Sequence, residues 1–459
     1  MKFDTIIHSG TIITVNRDAD IIADGVICID DGRIKVIDSR RNIGDLPEGK
    51  AIIDAAGCIV MPGLVNTHTH MPMTLFRGLA DDLPLDVWLN EHIFPAEAAW
   101  INPENVRLGT MLACAEMLLS GTTAFCGGYF HEEAVATTVD DVGMRGVLGQ
   151  GVIDFPAPGV PDAGKNIDVA EAYAQKWDGV SALVRPSIFC HSPYTCSAET
   201  IQAAKAVARS RGLLFQIHAA ETEIERSLIK SNGGVSPVRY LDDLGVLDGN
   251  TLLVHAVWVD DADITTIVNS GAKVSHNPES NMKLASGIAP ADKFLEAGIT
   301  VGLGTDGCAS NNDLDLFQEM DTAAKLHKVH RMDPTVMSAG SVLRMATIEG
   351  ARAIGLGNIL GSLEKDKEAD LIVVDAHKPH LVPMYNPISQ MVYAARGSDV
   401  RDVMVSGRML VRNGRLTAMD LDDVLSRVNA LGRKIVLKFG TTKPSASGHV
   451  VQGFSPAET

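Results

Sequence analysis

The chain has 459 residues, of which 46% are hydrophobic, enough to bury a large core in one big domain with an appendage or in two or three smaller ones. Its 40 Lys and Arg stand against 57 Asp and Glu, a formal net charge of -17. That balance disfavours a nucleic-acid backbone or an anionic membrane as partner and suits a neutral or cationic small molecule better than a polyanion.

Seven scattered cysteines, odd in number and without a CxxC pair, argue against a disulfide framework and for a reducing cytosol. The first residues alternate apolar and polar and lack the continuous apolar stretch of a signal peptide. No run is long enough to span a bilayer. A cytoplasmic protein is expected, and a homo-oligomer by the general habit of symmetric soluble enzymes.

Residues 1–58 read as short strands at 3–8, 11–15, 25–30, 33–38 and 51–54, punctuated by turn pairs such as Asp31-Gly32. From Ile59 the pattern changes. Apolar runs at 58–61, 122–125, 146–148, 182–188, 213–217, 252–255, 273–275 and 300–304 alternate with helical segments at 103–119, 198–210, 291–297 and 336–349. Repeated strand–helix alternation predicts parallel strands in an α/β fold, a TIM-like (β/α)8 barrel over residues 59–365. An open doubly wound sheet would want an early Gly-rich phosphate loop, and none is present. Strand texture returns at 370–375, 391–395, 400–405 and 408–412, with Asn413-Gly414 as a turn signal. Residues 1–58 and 366–419 are therefore expected to join as one small β-sandwich with the barrel inserted between them. A helix capped by Asp420 should open the segment 420–459, and the Ser-, Gly- and Pro-containing stretch 443–459 reads as disordered.

The chemistry-bearing residues fall at the ends of the apolar runs. In Asn66-Thr67-His68-Thr69-His70 the two histidines are two apart, so on an extended segment they face the same way and reach one ion together. The alternative is a pair of solvated loop histidines. His218 ends another run, with Glu221 three residues later; His255 ends the next, and Asp306, in Gly304-Thr305-Asp306-Gly307, follows a later one. Taken singly, each is as well explained by a structural hydrogen bond or a turn. Taken in order on successive strands, they make a metal site at the C-terminal face of a barrel, where barrel active sites lie. Three neutral imidazoles and a carboxylate around Zn2+ leave a position for water, whose pKa such an ion brings to about 7. Fe2+, Mn2+ and Ni2+ accept similar donors. Glu221 would then give and take protons, Asp306 would receive the proton of the water, and His255 would orient the attacking oxygen or polarise the reacting carbon.

The stretches Met61–His70, Cys190–Tyr194, His218–Thr222, Ser275–Pro278 with Ser280–Lys283, and Gly304–Gly307 with Ser310–Asn312 resemble the amidohydrolase superfamily. The form they resemble is the single-metal, adenosine-deaminase-like one, and the branch is the methylthioadenosine/S-adenosylhomocysteine deaminases. The resemblance runs over nearly the whole chain. It implies one divalent ion per chain, Zn2+ first, held by His68, His70, His218 and Asp306. It implies Glu221 as proton donor to the ring nitrogen and His255 beside the attacking hydroxide. Glu97 matches a ribose-binding carboxylate and His191 a substrate-contacting histidine. Trp88, with Leu75, Phe76 and Leu85, would line the far end of the pocket, or would simply be core of a helical lid.

The implied reaction is hydrolytic deamination of a 6-aminopurine nucleoside, a metal-bound hydroxide attacking C6 with release of ammonia. The pattern departs from the branch at Gly149–Asp154 and onward through Pro161, where expected arginines are absent. That favours 5'-methylthioadenosine over S-adenosylhomocysteine, with adenosine also open. Competing readings keep the metal and change the substrate to guanine, a pterin or an s-triazine, or make the barrel a non-catalytic scaffold. His276, a further histidine near the same face, is expected to support the site rather than to ligate, and Cys308 to be a buried small residue.

Overall fold

The structure, a computed structural model, describes residues 2–231 and 234–439. The stretch 443–459, expected to be disordered, lies outside the described residues. Eight parallel strands, each hydrogen-bonded to the next in chain order, run Leu64–Thr69, Thr122–Tyr129, Arg145–Val152, Val184–Cys190, Phe215–Ala219, Thr251–His255, Lys273–His276 and Val301–Leu303. They are buried almost throughout, as expected for strands covered on both faces. This is the (β/α)8 barrel that the alternating pattern predicts.

The barrel closes between its first and last strands through few bonds. Asp306 N–H donates to His68 O at 2.9 Å. The Asn66 amide spans the seam, donating to Thr305 Oγ1 at 2.8 Å and accepting from Thr305 N–H at 3.1 Å. Close approach here requires Gly302, because a Cβ at that position would lie 2.2 Å from Thr67 Cγ2.

Both chain ends meet in a nine-stranded mixed sheet, where Leu371–Asp375 pairs antiparallel with Cys58–Pro62, and Cys58–Pro62 pairs parallel with Lys2–Ile13. Alternate residues feed two apolar clusters, Ile7, Ile27 and Ile29 on one side, and Ile6, Val26 and Cys28 on the other. The run 58–61 thus belongs to this sheet and not to the barrel. Gly63 separates it from Leu64–Thr69, the true first stave, so His68 lies within a strand rather than after one.

Two further expectations change. Residues 3–8 and 11–15 form one strand, Lys2–Ile13, whose register shifts at Gly10 take up the irregularity that reads as a break. Residues 391–395 are not a strand. They end the helix Pro387–Tyr393, which starts because Asn386 caps Ser389 N–H and Pro387 occupies the first turn. The expected helix at 336–349 is two, Ala339–Met345 and Ile348–Ala353. The last helix, Leu421–Phe439, has Asp420 Oδ1 accepting Asp423 N–H as its cap. Among the described residues no helix is long and apolar enough to cross a membrane.

One buried ion pair ties barrel to sheet. Arg145 donates to both carboxylate oxygens of Asp370, at 2.9 and 3.2 Å, and also to Ser406 Oγ. Both side chains are almost wholly buried. Arg145→Ala would strand the Asp370 charge, so urea unfolding should show a loss of about 3–5 kcal/mol.

Candidate metal centre and substrate cleft

At the C-terminal face of the barrel the strand ends bring together two overlapping triads, His68 with His218 and His255, and His68 with His70 and Asp306. His68 Nε2 lies 3.2 Å from His218 Nε2 and 3.4 Å from Asp306 Oδ1, and His70 Nε2 is also 3.4 Å from Asp306 Oδ1. Zn–N bonds of about 2.0–2.1 Å in tetrahedral array put neighbouring donors roughly 3.3–3.4 Å apart, so these separations are those of ligands around one ion.

The protonation pattern gives an independent test of fit. His70 Nδ1 lies 2.6 Å from Gly128 O, a carbonyl that can only accept, so this nitrogen carries the proton. His70 Nε2 then presents a lone pair to the Asp306 carboxylate. Two acceptors facing one another inside a protein are repulsive unless a cation lies between them. Burial holds the His68 imidazole down to about 4 and that of His218 well below its ordinary value, so both are neutral, the form that ligates. The residues present therefore fit a divalent ion.

The surrounding groups hold the donors in place. Asp306 Oδ2 accepts from Ser280 and Ser310, each at 2.7 Å, and Oδ1 accepts from Gly307 N–H at 2.7 Å. His255 Nδ1 is 2.9 Å from Asn281 Oδ1, an acceptor that sets the tautomer and leaves Nε2 facing the centre, 3.8 Å from Glu221 Oε2. The chain turns sharply at these strand ends. Ala220, His255, Ala256 and Asp306 all have positive φ, between 47° and 75°. Such conformations cost about 1–3 kcal/mol each and persist where the surroundings over-determine them. Here Val257 and Trp258 both donate their N–H groups to Ala220 O, at 2.9 and 2.8 Å.

Glu221, Glu97, His191 and Trp88 line the same cleft as His70, His218, His255 and Asp306. Burial raises the Glu221 carboxyl above its ordinary value. Glu97, on the helix Phe94–Trp100, is 3% exposed and accepts a hydrogen bond from the Tyr129 hydroxyl at 2.5 Å. Burial pushes its carboxyl up to about 7, with the Tyr129 bond acting in the opposite sense. His191 Nδ1 is 2.9 Å from Thr195 Oγ1, and burial takes its imidazole down to about 3. Leu85 joins Trp88 in the lining, whereas Leu75 and Phe76 are packed in the core.

His276 faces away, its Nε2 3.0 Å from that of His327, and Cys308 is buried. Sequence reasoning missed Tyr129, whose hydroxyl meets Glu97, and Phe189, whose ring lies 5.2 to 6.3 Å from those of His68, His70 and His218. Phe189 ends an apolar run, and Tyr129 lies one residue beyond Gly128; neither position carries a spacing signal. Ser280, Asn281 and Ser310 lie within recognised stretches but carry no local sign of what they bind.

Residues 59–410 match the model of the Amidohydrolase family. The chain belongs to that family. It is 46% identical to the 5-methylthioadenosine/S-adenosylhomocysteine deaminase of Syntrophobacter fumaroxidans, over 95% of this chain and 99% of that protein. It is 43% identical to the 5'-deoxyadenosine deaminase of Methanosarcina mazei, over the same shares of both chains. Among solved structures it resembles an adenosine deaminase from Xanthomonas campestris with bound zinc, at 35% identity and a TM-score of 0.93 over 95% of this chain and 99% of that one. This amidohydrolase should lose stability when dialysed against a chelator and regain it on adding Zn2+. A free ion at a thousand times its Kd adds roughly 4 kcal/mol, visible as a rise in Tm. No change in Tm would count against a bound ion.

Proposed function

We propose that this amidohydrolase deaminates 6-aminopurine nucleosides, 5'-methylthioadenosine foremost, releasing ammonia from C6. The observation that carries this reading is the placement of Glu97. A buried carboxylate shares one cleft with the histidines and Asp306. A free base has no use for such a group, whereas two vicinal ribose hydroxyls donate to a carboxylate. The names of the relatives, each a deaminase of an adenosine-type compound, support the same choice.

His68, His70, His218 and Asp306 would hold a divalent ion, Zn2+ suiting three imidazoles and a carboxylate. When bound, the ion acts as a Lewis acid and brings the pKa of a water to about 7. The rest follows from the side chains. Glu221, its carboxyl raised above the ordinary value by burial, would give a proton to a ring nitrogen beside the attacked carbon. Protonating that nitrogen lets the ring accept electrons as C6 becomes tetrahedral. Asp306 would receive the proton of the attacking water and pass it to the amino group, which leaves as ammonia, while the new C6 hydroxyl returns a proton to Glu221. His255, its Nε2 turned to the centre by Asn281, positions that oxygen. His191 and Trp88 bound the purine, and the apolar cleft walls keep bulk water out.

Purified protein should release ammonia from 5'-methylthioadenosine, 5'-deoxyadenosine and adenosine and leave guanine and aminotriazines unchanged; the reverse preference would overturn the reading. Glu221→Gln should lower kcat roughly a hundred- to ten-thousandfold. The Glu97 carboxyl ionises at about 7, and only its ionised form accepts from both ribose hydroxyls. KM for a nucleoside should therefore fall as pH rises through that value, and Glu97→Gln should flatten this dependence.

A further inference from the structure

The carboxylate assigned to the ribose stands outside the barrel. Glu97 lies on the helix Phe94–Trp100, in the segment between the first stave and the helix Pro103–Leu119. A nucleoside has a fixed reach from C6 to its ribose hydroxyls, so this carboxylate must be held at a set place relative to the histidines, to within about 0.5 Å. Among the described residues one side-chain hydrogen bond joins that helix to a barrel strand. The Tyr129 hydroxyl donates to Glu97 Oε1 at 2.5 Å, the length of a charge-assisted O–H···O bond.

Tyr129 is itself firmly placed. It is the last residue of the stave Thr122–Tyr129, buried, and in register with Gln150 on the next stave. Its ring centroid lies 5.5 Å from that of Phe130 and 6.0 Å from that of His70. Gly128 O, one residue earlier, is the carbonyl that holds His70 Nδ1. Two consecutive residues of one stave thus touch the metal centre and the sugar anchor, and the stave end acts as a ruler between them.

An ionised carboxylate offers about four acceptor positions. The phenol takes one on Oε1, and no described residue donates to Oε2. Oε2 and the second lone pair of Oε1 are left for two vicinal hydroxyls. Without the phenol the carboxylate is free to rotate about its last side-chain bond, and the stave no longer sets where its oxygens lie.

We propose that Tyr129 is the positioning residue of the sugar anchor: by tying Glu97 to the stave end that also holds His70, it makes the enzyme select nucleosides with both ribose hydroxyls over analogues without them. The inference rests on the nucleoside reading above and extends it to how the anchor is aimed.

The test takes the ratio of kcat/KM for adenosine to that for 2',3'-dideoxyadenosine on zinc-loaded enzyme. The wild-type ratio should be at least about tenfold, because the dideoxy compound leaves the carboxylate without its donors. Tyr129→Phe keeps the ring and removes the donor, and should lower the ratio roughly tenfold, the worth of one charge-assisted hydrogen bond. Behind Glu97→Ala the same change should move the ratio by less than about twofold, since its effect passes through the carboxylate. A Tyr129 that touched the sugar directly would still matter in that background. Each ratio is taken within one preparation, so it does not depend on how much of a variant folds. A fall of less than about fivefold with Glu97 present, or of about twofold or more behind Glu97→Ala, overturns the role. A wild-type ratio below about tenfold would instead sink Glu97 as the sugar anchor, and the role of Tyr129 with it. No ammonia from adenosine at all would sink the nucleoside reading.

Discussion

A lone pair on His70 and a carboxylate oxygen of Asp306 face each other across 3.4 Å of buried space, and neither has a proton to share once Gly128 has claimed the other His70 nitrogen. That opposition is the constraint on which the rest of the site depends. It is tolerable only with positive charge between the two atoms, and much of the surrounding structure keeps it from relaxing. Ser280, Ser310 and Gly307 each donate a hydrogen bond to Asp306 and hold its carboxylate in place. A donor set held in repulsion is preorganised for a cation in a way that a flexible cluster of histidines is not.

Closure of the barrel creates the opposition. His68 lies in the first stave, His70 directly follows it, and Asp306 follows the last stave, more than two hundred residues on in the chain. They meet because the seam between those staves is drawn tight by the Asn66 amide, by the Asp306 N–H bond to His68 O, and by a glycine where any larger residue would strike Thr67. The same residue, Asp306, thus contributes its backbone to the fold and its side chain to the site. Its backbone is left-handed, at a φ of 61°, three residues beyond the end of the last stave.

Burial then divides the labour of the ionisable groups. It keeps the imidazoles of His68 and His218 neutral and able to bind an ion, and it raises the carboxyls of Glu221 and Glu97 above their ordinary values, which favours the protonated Glu221 that proton transfer needs and brings the ionisation of Glu97 towards neutral pH. One physical effect, exclusion of water, acts with opposite sign on bases and acids and leaves both kinds useful.

The sequence by itself determined the staves and the helices between them. Apolar runs and helical periods are short-range patterns, and they survive into the structure from Thr122–Tyr129 to Val301–Leu303. It also carried the His68–His70 pair, because a period of two puts both side chains on one side of a strand whatever lies around it. Short-range pattern failed where neighbours in space decide. The run 58–61 reads as a stave but pairs with Leu371–Asp375, and 391–395 reads as a strand but follows a capped Pro-initiated helix. Only the tertiary structure placed the Tyr129 hydroxyl on Glu97, set Phe189 against the histidines, and bound Ser280 and Ser310 to Asp306. Those relations are distances between segments remote in the chain. They come from closing eight staves into a ring, and a local pattern of residue types has no means of recording them.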